Sequence, residues 1–222
     1  MCDVSKYTKV YEDFKNLHSD DFLQLITEKG YRKESFLMKK YIVIAGVNGA
    51  GKSTLYQTLD YLKIYDRVNT DEIVREFGRW DNPADSIKAG KIAAKKIKNN
   101  IEKGISFNQE TTLCGNSIIS NILKAKEKGF IIELHYVGVE SPEIAKNRIA
   151  HRVSHGGHGI PDNDVDRRYV QSFENLIKVL TVCDTAVLYD NTIRFKQFAI
   201  YRNGKLSYLS EYRPNWFRTW LE

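Results

Sequence analysis

A five-residue apolar run, Tyr41-Ile42-Val43-Ile44-Ala45, passes without a break into Gly46-Val47-Asn48-Gly49-Ala50-Gly51-Lys52-Ser53, which matches GxxxxGK[ST]. The chemistry needs that spacing. Glycines let the backbone curl so that successive N–H groups point inward at a β-phosphate, at φ values a Cβ would penalise. Lys52 supplies a point charge to the β and γ oxygens, and the Ser53 hydroxyl reaches Mg²⁺. The helix expected from about Lys52 turns its positive end toward the same phosphates. Gly46, Val47, Asn48, Gly49, Ala50, Gly51, Lys52, Ser53 and Thr54 are therefore expected to bind ATP, with Ser53 on the Mg²⁺. The competing reading, a fortuitous glycine turn, does not account for the strand before the motif and the helical pattern after it.

The rest of the chain repeats that alternation. Further β-type runs stand at Arg67–Asn69, Ile105–Gln109, Phe130–Val137 and Thr185–Tyr189, with helical patterns at about 53–63, 71–78, 85–103, 115–128, 142–153 and 164–182. Near-continuous apolar strands separated by helices predict an α/β P-loop NTPase or kinase fold, with a central parallel sheet of about five strands and helices on both faces. Phe195–Tyr201, Asn203-Gly204 and Leu206–Leu209 read as a short C-terminal β-hairpin, because Asn-Gly tolerates positive φ. Ahead of the sheet, Tyr7, Val10, Tyr11, Phe14 and Leu17, then Phe22, Leu23, Leu25 and Ile26, have helical spacing. The expected organisation is an N-terminal helical extension, 1–38, and a P-loop domain, 39–222. That domain contains a lid region at about 142–170 and an aromatic β appendage over 192–222.

Composition narrows the partners. The 222 residues carry 34 Lys and Arg against 28 Asp and Glu, a net charge of +6. That balance fits an anionic partner such as a nucleotide, phosphosugar or nucleic acid. The longest apolar runs, Tyr41–Val47 and Phe130–Val139, fall far below the roughly 18 residues of a membrane span. The opening Met1-Cys2-Asp3-Val4-Ser5-Lys6 lacks the apolar core of a signal peptide. Cys2, Cys114 and Cys183 form no Cys-x-x-Cys pair, which argues against a disulfide scaffold or a cysteine zinc site. A soluble cytoplasmic protein without a membrane partner is expected.

Three polar clusters give the phosphate loop its context. Asn69-Thr70-Asp71-Glu72 closes the second strand, nineteen positions after Lys52. A carboxylate at a strand's carboxyl end opens into the site and can take a proton from an acceptor hydroxyl; a helix cap at Thr70 or Asp71 is the bland alternative. Asn108-Gln109-Glu110-Thr111-Thr112 closes the third strand and can hydrogen-bond an acceptor or cap the next helix. Arg148 through Pro161, followed by Asp166-Arg167-Arg168-Tyr169, sets arginines on two helices around a glycine-rich loop, the layout of a lid that neutralises a transferring phosphoryl group. His151, His155 and His158 invite a zinc reading, but no nearby carboxylate or cysteine completes the set and two glycines interrupt the helix. A guanine-reading Asn-Lys-x-Asp is absent, which turns the reading from GTPase switch to kinase.

Together these residues resemble the zeta toxin family of P-loop kinases, in its compact branch. The resemblance runs from about Lys40 to Asn191. It rests on Gly46–Ser53, Asn69-Thr70-Asp71-Glu72, Glu110-Thr111-Thr112, and above all on Arg152-Val153-(x)₂-Gly156-Gly157-His158-Gly159-Ile160-Pro161 followed by Arg167-Arg168-Tyr169. It implies transfer of the γ-phosphate of ATP to a hydroxyl of a UDP-N-acetyl sugar, as the toxin of a toxin–antitoxin system. By position it makes Asp71 the general base, sets Asn69, Glu110, Thr112 and His158 on the nucleotide-sugar, and has Arg152 with Arg167 or Arg168 clamp the triphosphate beside Lys52. It also implies a helical antitoxin in trans, a part that residues 1–38 could play in cis; the plainer expectation for those residues is an extra helical layer on the sheet.

Other features stay open on the sequence alone. Ile87, Ala94, Ile97 and Ile101 are expected to form the buried face of the long third helical pattern, beside a lysine stripe at Lys88, Lys91, Lys95 and Lys98. Tyr201, Tyr208, Tyr212, Trp216, Phe217 and Trp220 either pack on the domain or form a nucleic-acid platform, and packing is the expectation. Cys114 and Cys183 are expected in the core of helices. Nucleic acid is thus not the expected partner, although a nucleic-acid end kinase and a nucleotide-gated ATPase or binding protein remain alternatives.

Overall fold

The computed structural model describes residues 38–80 and 82–222. The helical extension expected over 1–38 falls, apart from Met38, outside these residues. A seven-stranded sheet forms the core, in the order β2-β3-β1-β4-β5-β6-β7. Its strands are β1 (Lys40–Ala45), β2 (Asp66–Val68), β3 (Phe107–Thr111), β4 (Ile131–Gly138), β5 (Thr185–Asp190), β6 (Lys196–Arg202) and β7 (Lys205–Leu209). The first five run parallel, and β6 and β7 continue the sheet antiparallel beyond β5. The C-terminal hairpin is therefore the edge of the main sheet rather than an appendage. Its turn, Asn203-Gly204, has φ of 50° and 75°, the paired positive values that a two-residue turn between twisted strands demands.

The helices are α1 (Lys52–Thr58), α2 (Thr70–Phe77), α3 (Pro83–Lys103), α4 (Asn116–Glu127), α5 (Pro142–Ser154), α6 (Asp162–Leu180) and α7 (Asn215–Leu221), with a 3₁₀ turn at Asp60–Ile64. They cover both faces, so the central strands are apolar on both sides. Tyr41 through Ala45 are wholly buried. Tyr41 stacks on Phe107, its register partner on β3, at 4.3 Å between ring centroids. Buried Asn108 on β3 donates to the carbonyl of Leu62 at 2.8 Å and ties the 3₁₀ turn to the sheet.

Local sequence sets the helix ends. Asn82 caps α3 by accepting from the Ala84 N–H, Pro83 occupies the first turn, and Gly104 closes it at φ 69°. The buried face of α3 differs from the expected one. It runs through Ala89, Ala93, Ile97, Asn100 and Ile101, while Ile87 is 61% exposed and Ala94 faces solvent. Lys88, Lys91, Lys95 and Lys98 are exposed.

Two expectations about the end of the chain divide. Trp216 and Phe217 are buried, and Trp220 stacks on Phe173 of α6 at 5.3 Å. These aromatics pack on the domain, but from a terminal helix that the aromatic spacing did not reveal. Tyr208 and Tyr212 remain largely exposed. Cys183 is buried in the turn after α6, whereas Cys114 lies in a half-buried loop after β3 and not in a core helix.

Candidate functional site

In an open α/β sheet, ligands bind beyond the carboxyl ends of the strands, where the strand order reverses. Here that place lies next to β1, whose neighbours are β3 on one side and β4 on the other. The loop leaving β1 passes under α1 with Gly46, Gly49 and Gly51 at φ 141°, 78° and 103°. A Cβ on Gly46 would stand 2.3 Å from the Val137 carbonyl oxygen, so only glycine fits the exit from the strand. Asn191 closes the loop from outside by donating to the Ala50 carbonyl at 2.8 Å, and Arg148 of α5 bridges the carbonyls of Gly49 (3.5 Å) and Thr192 (3.1 Å).

Lys52 is buried at the start of α1, and its ammonium donates to the carbonyls of Gly46 (2.9 Å) and Val47 (3.2 Å). Burial pushes its pKa down, against the opposing pull of Glu110 and Asp71. Ser53 Oγ faces the Glu110 carboxylate at 3.2 and 3.4 Å. Glu110 ends β3 and is itself held by Arg67 Nη2 at 2.6 Å and Asn69 Nδ2 at 3.0 Å. Thr54 sits on the exposed side of α1.

Asn69, not Thr70 or Asp71, caps α2: its Oδ1 accepts from the Asp71 N–H at 2.8 Å. With the cap supplied there, the Asp71 side chain is left to point into the cleft. It is 42% exposed, with His158 Nε2 at 3.6 Å. The His158 ring stacks on Trp80 at 4.1 Å and 15°. Burial lowers the His158 pKa, Asp71 opposes that shift, and Arg152 and Arg75 add to it. Arg152 donates to the His158 carbonyl from Nε (3.1 Å) and Nη2 (2.8 Å), folding the turn between α5 and α6 onto itself. His151 and His155 contact each other at 4.4 Å, apart from the Trp80–His158 stack.

The two adjacent arginines of α6 take different places. Arg168 Nη1 donates to Asn48 Oδ1 in the phosphate loop at 3.0 Å. Arg167 stays on the outer rim, bonded to Asp164 at 2.7 Å and Gln171 at 3.0 Å. A cleft of about 660 Å³ joins these groups. Its lining includes Lys52, Asn69, Asp71, Glu110, Thr112 and His158, and both Arg167 and Arg168 border it. Trp80 and Cys114 also line it, and neither was expected there. Arg67 was missed too, because it precedes the recognisable Asn-Thr-Asp-Glu cluster; only its place on a strand that ends at the cleft would have singled it out.

Fold and loop geometry define an α/β protein of the P-loop, kinase-like type. A family model described as AAA domain matches residues 42–176, more than half of the chain, and the chain belongs to that family. An uncharacterized protein of Haemophilus influenzae is 37% identical over 139 residues, which is 62% of this chain and 99% of that protein. Among solved structures, the AvrRxo1-ORF1:-ORF2 complex superposes at a TM-score of 0.62 with 14% identity over 85% of this chain, and this chain spans only 65% of that one. The PezAT chromosomal toxin–antitoxin system of Streptococcus pneumoniae gives 0.51 with 15% identity, over 79% of this chain and 80% of that one. At these identities the structures share a fold.

Proposed function

We propose that this protein is a P-loop kinase, which moves the γ-phosphate of ATP to a hydroxyl of a small acceptor held in the cleft. The observation that carries the reading is the meeting of three kinds of group there: a phosphate loop with its buried Lys52, a carboxylate facing the Ser53 hydroxyl, and a second carboxylate, Asp71, left open on the acceptor side. The Ser53 hydroxyl and Glu110 carboxylate are hard oxygen donors converging beside the phosphate loop, a set that suits Mg²⁺, which takes one or two protein oxygens and completes its shell with phosphate and water. When bound, the ion neutralises charge on the β and γ oxygens.

The chain's own residues do the rest by position and charge. Lys52 exchanges its loop carbonyls for phosphate oxygens. Arg168, already against Asn48, is the one of the adjacent pair on α6 that meets the loop, and Arg152 and Arg167 add to the positive charge around the cleft. Asp71 accepts the proton of the acceptor hydroxyl, and Asn69, Thr112 and His158 contact the acceptor; Glu110, which the resemblance sets on the nucleotide-sugar, is assigned to the Mg²⁺ instead because it faces the Ser53 hydroxyl. The resemblance to zeta toxins suggests a UDP-N-acetyl sugar as that acceptor and a toxin's role with an antitoxin partner; the fold shared with PezAT is consistent with this.

The test is phosphate transfer followed by mass spectrometry. Mg·ATP is offered with UDP-N-acetylglucosamine, UDP-N-acetylgalactosamine, free nucleosides, simple sugars or a 5′-hydroxyl oligonucleotide. One phosphoryl group gained on a UDP-sugar, and a loss of about 10²–10⁴-fold in Asp71→Asn, is the expected result. Transfer to the oligonucleotide alone would replace the sugar reading by nucleic-acid end processing. No transfer to any acceptor would leave an ATPase or a nucleotide-gated binding protein.

A further inference from the structure

Arg67 belongs to none of the motifs above, yet both its terminal nitrogens and its guanidinium face are engaged beside the site. It stands on β2 with its side chain 15% exposed. Nη2 donates to Glu110 Oε2 at 2.6 Å, Nη1 donates to the Glu72 carboxylate, and the guanidinium lies over the Tyr56 ring at 3.7 Å. Three elements thus immobilise one side chain: α1 through Tyr56, α2 through Glu72 and β3 through Glu110.

The effect on Glu110 is uneven. Its Oε2 takes both Arg67 and Asn69, at 2.6 and 3.0 Å. The Ser53 hydroxyl is shared between the two oxygens, 3.2 Å from Oε1 and 3.4 Å from Oε2, and Oε1 takes neither the arginine nor the asparagine. A hydroxyl bonded to an ionised carboxylate normally closes to about 2.5–2.7 Å. Glu110 is therefore held closely by Arg67 and Asn69 at Oε2 and only loosely by the Ser53 hydroxyl, which leaves Oε1 the less engaged oxygen of one planar group.

Resting on the kinase reading above, we propose that Arg67 is a positioning residue. It pins Glu110 through Oε2 so that Oε1 and Ser53 Oγ face one point, the place of the nucleotide's divalent cation. Lysine would not serve in its stead: a single ammonium cannot bridge Glu72 and Glu110 with fixed geometry while stacking on Tyr56.

The experiment measures binding rather than turnover. The dissociation constant of the non-hydrolysable ATP analogue AMPPNP is determined by calorimetry with Mg²⁺ and with EDTA, and the ratio of the two is the Mg²⁺-linked gain. Supporting groups behind metal ligands typically contribute about 10–100-fold to metal affinity. Arg67→Met should cut the gain about tenfold or more, with binding in EDTA changed by less than about twofold. Glu110→Gln should do the same, and the double variant should lose no more than Glu110→Gln alone. Should Arg67→Met not fold, Arg67→Lys is read by the same ratio, with the same loss expected. An undiminished gain in the arginine variants, or additive losses in the double variant, would overturn the proposal and leave the kinase reading standing. Absence of any Mg²⁺-linked gain in the wild-type protein would instead overturn the kinase reading itself.

Discussion

Replacing Trp216 by alanine tests whether the chain's last helix belongs to the core. The indole is 2% exposed, and its Nε1 donates to Asp190 Oδ1 at 2.8 Å. Its ring meets Phe198 edge-on at 5.3 Å and Phe173 at 5.3 Å, and it covers Gly138, where a Cβ would stand 2.4 Å from the indole carbons. A buried tryptophan removes about 200 Å² from water, and at about 25 cal/mol per Å² that is roughly 5 kcal/mol. Large-to-alanine changes in cores cost about 3–5 kcal/mol. Asp190 is not orphaned by the loss, because the hydroxyls of Thr192 (2.6 Å) and Tyr212 (2.9 Å) still donate to it. The expected cost is therefore about 4 kcal/mol, or a fall in Tm of roughly 8–16 °C for a chain of this size. Trp216→Phe keeps most of the area and should fall by less than half as much. Thermal unfolding followed by far-UV circular dichroism reads both variants without depending on indole fluorescence. A drop below about 3 °C in Trp216→Ala would refute the reasoning, because the C-terminal aromatics would then be ornament on a domain that stands without them.

Two further outcomes follow from named contacts. Arg168→Ala should lower kcat at least about 10²-fold while Arg167→Ala lowers it less than about tenfold, since one guanidinium touches the phosphate loop and the other the rim; equal losses in steady-state turnover would reject that division. Burial works against the charge on Glu133, but the bonds from His135 (2.7 Å) and Tyr61 (2.5 Å) outweigh it and hold the pKa at about 2, below its ordinary value. A lowered carboxylate contributes stability above its unfolded pKa and loses it as pH falls. The wild-type unfolding free energy should therefore drop more steeply between about pH 4.5 and 2 than that of Glu133→Gln, by a margin on the order of 3 kcal/mol, or roughly 6–12 °C in Tm; parallel curves would reject the network.

The phosphate loop was legible because its constraint is local. Eight consecutive residues have to supply both the backbone path and the ligands, so their identities are narrow. The parallel sheet was legible for a related reason: strands buried on both faces leave long apolar runs. What escaped depended on contacts across the fold. The buried face of α3 includes Ala89, Ala93 and Asn100 beside Ile97 and Ile101, and a periodicity that counts isoleucines points elsewhere. The helix at Asn215–Leu221 has few turns and no strong cap, so its aromatics could be read equally as part of a hairpin. Arg67 matters through Tyr56, Glu72 and Glu110, partners scattered over more than forty positions, and no spacing rule joins them. Of the pair Arg167-Arg168, only the phase of α6 against the phosphate loop separates inner from outer.

The cap at Asn69 shows how local structure can prepare a site. Aspartate and threonine are good helix caps, and a carboxylate spent on capping would accept backbone N–H groups and be lost to chemistry. Because Asn69 takes the Asp71 N–H, the carboxylate two positions on keeps its lone pairs. Asn69 also gives its amide N–H to Glu110, so one side chain frees the first acid and helps pin the second. The two carboxylates end in opposite conditions. Asp71 is 42% exposed beside a histidine, and Glu110 is 8% exposed under an arginine. A base has to exchange a proton with a substrate that comes and goes, which calls for an open carboxylate. A carboxylate that shares a cation has to stay still, which calls for a clamped one. The proposed roles of Asp71 and Glu110 follow from that difference in how each is held, and exchanging them would ask the clamped acid to move and the open one to stay fixed.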